Sequence, residues 1–238
     1  SSDLDPLAYD VAETTLSLST AVAREALGTA ASWPVVTLDG DVSWNRDDYK
    51  RLAVIIAGVA HEPDGTPKGT VLLTHGAGSN RDAPLLVRLC DEWARHGWLA
   101  IRYDLPYRRR RPKGPPSNSA ASDQQGIVEA IELAHTLTDG PVIAGGHSYG
   151  GRMTSMVAAD MDNTVELTAL VLSSYPLHPP GKPERARTEH LPDITVPTVF
   201  THGSADPFGS IEELRAAARL FGGPVEIVEI TGARHDLG

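Results

Sequence analysis

The sequence predicts an α/β protein: a mostly parallel sheet of about seven or eight strands, flanked by helices. Three observations carry this. Short apolar runs alternate with amphipathic helical patterns along most of the chain, the order a parallel sheet with crossover helices requires. Several helical patterns carry readable start signals. With 238 residues, 41% hydrophobic and 22% charged, the chain can bury one substantial core.

Residues 1–34 are expected to form an N-terminal helical extension. Leu4, Leu7, Val11, Leu16, Val22 and Leu27 give residues 4–30 the pattern of one or two amphipathic helices. Such a face packs on the sheet or on a second copy of the chain, so a homodimer through these helices is the oligomer expected. The main domain then spans 35–238. "VVTLDGDVSW", from Val35, reads as an early edge strand. Seven further strand candidates follow: "LAVIIAGVAH" from Leu52, "GTVLLTHG" from Gly69, "WLAIRYDL" from Trp98, "PVIAGG" from Pro141, "LTALVLSSY" from Leu167, "TVPTVFTHG" from Thr195 and "PVEIVEITG" from Pro224.

Helices fall between them. Pro84 suits the first turn of a helix whose apolar face is Leu85, Leu86, Leu89, Cys90 and Trp93. Ser122 and Gln125 form a capping-box pattern ahead of Ile127, Ile131 and Ala134. Ser210 and Glu213 repeat it ahead of Leu214, Ala218 and Phe221, with Gly222 as the stop. The run "YRRRRPKGPPSNSAASD", Tyr107 to Asp123, reads as a solvated loop; the alternative is that its Arg108–Arg111 cluster steers an anionic substrate.

Composition excludes several function classes. The net charge of −10 argues against general nucleic-acid binding, which needs a basic face. No apolar run approaches the ~20 residues that cross a membrane. The acidic N-terminus lacks a secretory pattern, and the single Cys90 suits a reducing compartment, so a soluble, cytoplasmic protein is expected. Cys90 itself reads as a small core side chain. The histidines are scattered without metal-ligand spacing, and "GAGSNR" has Arg81 where a dinucleotide fingerprint needs its third glycine. No metal or cofactor is therefore expected.

Chemistry concentrates at Gly146-His147-Ser148-Tyr149-Gly150, a G-x-S-x-G between a strand and a helix pattern. Small residues two before and two after let a serine hold a strained turn that lifts its hydroxyl above the sheet. A serine hydroxyl needs a base. Asp206 and His235 follow at the ends of the two last strands, in the order Ser–Asp–His that this architecture uses. Ser148 is thus the candidate nucleophile, His235 the base and Asp206 the group that orients the imidazole. The oxyanion donors are expected to be the N–H of Tyr149 and, from the "THGAGSNR" loop, that of Ala77, with Gly78 second in line. His75, His147 and His202 are expected to support loops. Arg81, Tyr107, Tyr175 and His178 stand near enough to strand ends to contact substrate.

These pieces resemble an α/β-hydrolase from about Leu52 to His235. Within that superfamily "THGAGSNRDAP", "IRYDLPYRRRRPKGPP", "GGHSYGGRM" and "THGSADPFGS" resemble the small dienelactone-hydrolase-like proteins, in particular a predicted-hydrolase group related to the NSL-complex subunit and testis-expressed families. The resemblance implies the same roles for Ser148, Asp206 and His235. Two departures stand out. Dienelactone hydrolases use cysteine as nucleophile, so Ser148 points to esterase-type chemistry on a small ester or thioester. Relatives also carry a final helix after the histidine, which is not expected in a sequence ending at Gly238. The proline-rich interval from Tyr175 to Asp193 is too short for a cap domain, so an open site is expected. The rival reading is an interaction scaffold that kept the fold without the activity.

Overall fold

The computed structural model describes residues 58–116, 120–160 and 165–237. The N-terminal extension, the Val35 strand and the proposed dimer helices lie outside them. All seven strand candidates from Leu52 onward are found, the first over its second half: β1 (Gly58–His61), β2 (Thr70–Thr74), β3 (Leu99–Tyr103), β4 (Val142–His147), β5 (Ala169–Ser173), β6 (Thr198–Gly203) and β7 (Val225–Ile230). They form one sheet in the order β1-β3-β2-β4-β5-β6-β7. β1 runs antiparallel to β3, and every other pairing is parallel.

Every residue of β2 and β5 is buried, as strands covered on both faces must be. The period of two divides them between cores. Val71 and Leu73 face α1 (Pro84–Arg95), packing with Leu86, Leu89, Cys90 and Trp93. Leu72 faces the other way, toward Ile127 and Ile131 of α3 (Ala120–Ala134) and Met153 and Val157 of α4 (Tyr149–Ala159). Beyond them Leu170, Leu172 and Phe200 pack with Leu214 and Ala217 of α5 (Ile211–Ala218). Cys90 is a core residue, and burial holds its thiol far above the ordinary range, so it is inert.

Pro84 stands in the first turn of α1, and at Ser210–Glu213 both halves of the capping box form, as the sequence predicts. Three expectations are corrected. Ser122 does not cap: α3 begins at Ala120, and the Ser122 hydroxyl instead accepts from Arg110 at 2.9 Å, a tertiary contact overriding local preference. Gly222 does not stop α5, which ends at Ala218 with Arg219 as its C-cap. Gly222 and Gly223 serve close packing: a Cβ there would come within 2.7 Å of the Pro192 carbonyl and 2.2 Å of the Thr195 carbonyl. The basic run is not simply a solvated loop. Pro106–Arg110 forms a short helix, α2, and Arg108 is buried while Arg109 to Arg111 are exposed.

The interval from Tyr175 to Asp193 holds two 3-10 turns, Pro183–Arg185 and Leu191–Asp193, and no cap domain. Among the described residues no helix is long and apolar enough to cross a membrane.

Candidate active site

At the carboxyl edge of the sheet, β4 turns sharply into α4 with Ser148 at φ 52°, ψ −116°. A non-glycine residue there is strained, and the surroundings hold it. Ser148 N–H donates to the Ser173 carbonyl of β5 at 2.9 Å, and its own carbonyl accepts from Arg152 N–H in α4 at 3.0 Å. The flanking glycines are required by contact. A Cβ at Gly146 would meet the Thr74 carbonyl at 2.3 Å, and one at Gly150 the His75 carbonyl at 2.6 Å. The backbone of β2 thus passes directly against the turn.

The structure brings Ser148, His235 and Asp206 together. The Ser148 hydroxyl lies 2.8 Å from His235 Nε2, and His235 Nδ1 lies 2.8 Å from Asp206 Oδ2. The carboxylate can only accept, so Nδ1–H donates to it and Nε2 is left to accept the serine proton. The Asp206 side chain is 0% exposed and that of His235 23%, so the acid is enclosed and the imidazole reaches solvent. Asp206 Oδ1 accepts Phe208 N–H at 2.8 Å, closing the turn after β6. The Phe208 ring covers the imidazole, centroids 4.2 Å apart.

Neighbouring histidines fix the loops. His147 Nε2–H donates to the His235 carbonyl at 2.7 Å, tying the Ser148 turn to the His235 loop. Burial lowers the His147 pKa, keeping that ring neutral. His202 is fully buried, and burial lowers its pKa too. Its Nε2–H is given to the Gly209 carbonyl at 2.9 Å; the 3.7 Å separation from Asp206 Oδ2 is too long to compete. His75, buried in the loop after β2, accepts Leu105 N–H on Nε2 at 3.3 Å and donates Nδ1–H to the Gly76 carbonyl at 2.9 Å. Desolvation lowers its pKa, so its approach to Asp104 at 3.4 Å is not an ion pair.

That loop is clamped from the far side. The Ala77 carbonyl accepts from the Tyr107 hydroxyl at 2.9 Å and from Arg108 Nη2 at 3.0 Å. The Ala77 N–H makes no hydrogen bond within the described residues. Gly76 lies against Ser148: a Cβ there would be 3.4 Å from Ser148 Cβ.

The four expected substrate contacts fare differently. Tyr175 is corrected: it is 1% exposed, packs edge-on against Phe200 and donates to the Arg187 carbonyl at 3.3 Å. His178 is corrected likewise; it is buried, bonded to the Pro179 carbonyl and near Glu213, on a separate surface pocket with Leu177 and Leu220. Tyr107 is 3% exposed and serves the Ala77 loop, not a ligand. Strand-end aromatics carry too much apolar area to leave in water when a core lies beneath them. Arg81 retains a partly exposed side chain, 31%, beside Asp104. Missed altogether were Asp123 and Phe208, and Arg108, expected in a solvated or substrate-steering run, instead holds the Ala77 loop. Asp123 had a signal, a carboxylate on the apolar stripe of Ile127, Ala130 and Ala134; Phe208 had none.

A cavity of about 440 Å³ adjoins the site, with His75, Gly76, Leu86, His147, Asp236 and Leu237 among its walls. Neither Ser148 nor His235 lines it. No cluster among the described residues is arranged to hold a metal ion.

Residues 67–238 match the alpha/beta hydrolase domain family. The chain belongs to that family. Solved structures of similar fold include a dienelactone hydrolase from Anabaena variabilis, with a TM-score of 0.59 and 23% identity over 76% of this chain and 82% of that one. Est1E from Butyrivibrio proteoclasticus, solved with ferulic acid bound, gives 0.61 and 18% over 75% and 86%. An alpha-beta serine hydrolase homologue from Coxiella burnetii gives 0.60 and 18% over 75% and 82%. This alpha/beta hydrolase therefore has the dienelactone-hydrolase-like fold, with a serine at the sharp turn between β4 and α4.

Proposed function

We propose that the protein is a serine hydrolase of small carboxylic esters, thioesters included, working through an acyl-enzyme. The observation that carries this is the unbroken chain from Ser148 hydroxyl to His235 to Asp206, each link at 2.8 Å. Ser148 Oγ attacks the ester carbonyl carbon as its proton passes to His235 Nε2, and the carbonyl electron pair moves to oxygen. The N–H groups of Tyr149 and Ala77 hold that oxyanion. Collapse of the intermediate expels the alkoxide or thiolate, which takes the proton back from His235. Water, deprotonated by the same nitrogen, then releases the acid and restores Ser148. Asp206 keeps the imidazole proton on Nδ1 and stabilises the imidazolium. Arg81 is the remaining candidate for a substrate contact. Partners are small esters, and the resemblance of fold to esterase and dienelactone hydrolase structures supports the class.

The test is p-nitrophenyl acetate turnover with a fluorophosphonate probe. The wild type should show a burst and covalent labelling at Ser148; Ser148→Ala should lose the burst, the label and at least about 10³-fold in kcat. An unlabelled, folded wild type would overturn the proposal and leave the scaffold reading.

A further inference from the structure

We infer that the buried Asp123 carboxylate is a positioning residue that ties together the two halves of the oxyanion hole, and so sets turnover without touching substrate. This rests on the reading of Ser148 given above. Asp123 lies on α3 and is 0% exposed. Its Oδ2 accepts the Tyr149 hydroxyl at 2.9 Å, and its Oδ1 accepts Tyr107 N–H at 2.9 Å. Those two residues belong to opposite sides of the hole. Tyr149 supplies one oxyanion N–H and opens α4; Tyr107, on α2, reaches with its hydroxyl to the loop that supplies the other.

The second half of the linkage is in the Ala77 loop. The single Tyr107 hydroxyl proton goes to the Ala77 carbonyl at 2.9 Å in preference to the Gly76 carbonyl at 3.3 Å. Arg108 Nη2 donates to the same Ala77 oxygen at 3.0 Å. The Gly76 carbonyl is taken by His75 Nδ1–H at 2.9 Å and Ser79 N–H at 3.1 Å. A peptide group is planar, with its N–H opposite its carbonyl. Fixing the Gly76 oxygen on one side and the Ala77 oxygen on the other therefore leaves the Ala77 N–H little freedom to rotate. The Tyr107 and Tyr149 rings meet edge-on, centroids 5.8 Å apart, beside the carboxylate they share.

A carboxylate costs several kcal/mol to desolvate, and an apolar side chain would suit the stripe of Ile127 and Ala130 better. What the carboxylate adds is acceptance at once from the Tyr149 phenol and the Tyr107 backbone N–H, in the residue that supplies one oxyanion donor and the residue whose hydroxyl holds the loop of the other. Small misplacements of such donors lower the rate while leaving ground-state binding alone, because the donors act where charge develops.

The experiment measures kcat and KM for p-nitrophenyl acetate per fluorophosphonate-titrated site, and the affinity of a trifluoromethyl ketone, whose serine adduct places an oxyanion in the hole. Asp123→Asn should lower kcat about tenfold and Tyr149→Phe about threefold, with KM within about twofold. Ketone affinity should fall by the same factors. Were Asp123→Asn not to fold, Tyr149→Phe, which deletes one hydroxyl, decides alone. Per-site kcat within about twofold of wild type, a loss carried by KM, or unchanged ketone affinity would overturn the inference. Absence of labelling in the wild type removes the underlying reading instead, and the inference with it.

Discussion

Replacing Asp206 by Asn should lower kcat/KM by about 10³- to 10⁴-fold and leave the fold intact. The carboxylate is enclosed, and each oxygen faces one donor at 2.8 Å: Phe208 N–H on Oδ1, His235 Nδ1–H on Oδ2. Asparagine has only one oxygen. If that oxygen stays on Phe208, the amide NH₂ faces His235 Nδ1, which must become an acceptor. The ring proton then moves to Nε2, opposite the Ser148 hydroxyl, and the base can no longer take its proton. If the amide flips, Phe208 N–H meets an NH₂ group and a buried donor is stranded, at about 1–3 kcal/mol. That penalty alone holds the productive arrangement to roughly one part in 5–150. Loss of the negative charge beside the imidazolium supplies the remainder, for a total of about 4–5.5 kcal/mol in the barrier. Esterase kinetics per titrated site measures the effect, with a thermal melt to verify folding. Turnover within about tenfold of wild type in a folded variant would refute this account of how the imidazole is held.

Two further outcomes follow from burial. Arg108→Ala should cost about 2 kcal/mol of stability and lower kcat, since it removes the donor to the Ala77 and Gly114 carbonyls, whereas exposed Arg110→Ala should change stability by less than about 0.5 kcal/mol; denaturant titration separates them, and equal effects would restore the solvated-loop reading. Burial lowers the pKa of His75, His147 and His202, and that of half-buried His190 to about 4. The unfolded chain then binds more protons below about pH 6.5, so stability should be full above that pH and fall as the pH drops toward 4. His190→Gln should reduce the stability lost between about pH 6.5 and 4 by about 1 kcal/mol, discounted for its part-exposed ring, as read from melting temperatures across the window.

Legibility differed by kind of residue. The convergence of Ser148, Asp206 and His235 was legible because each sits at a strand end whose signal is local: an apolar run, then glycine or another turn former. Their order along the chain supplied what spacing alone did not. Tyr175 and His178 misled for the same reason, because proximity to a strand end says nothing about which way a side chain turns. Tyr175 turned onto Phe200, where its ring is out of water. Arg108 looked like its three neighbours in sequence, yet one helical face of α2 points it at the Ala77 loop while Arg109 to Arg111 face solvent.

From the amino-acid order alone came the alternation of strands and helices, the strained serine turn and the Ser–Asp–His order at the strand ends, all properties of short segments and their backbone preferences. Distances between segments far apart along the chain came only with folding: His147 against the loop of His235, Asp123 between Tyr107 and Tyr149, the enclosure of Asp206. Hydrogen bonds of that kind depend on direction to within tenths of an ångström, and it is the packing of the whole core that decides where each partner stands.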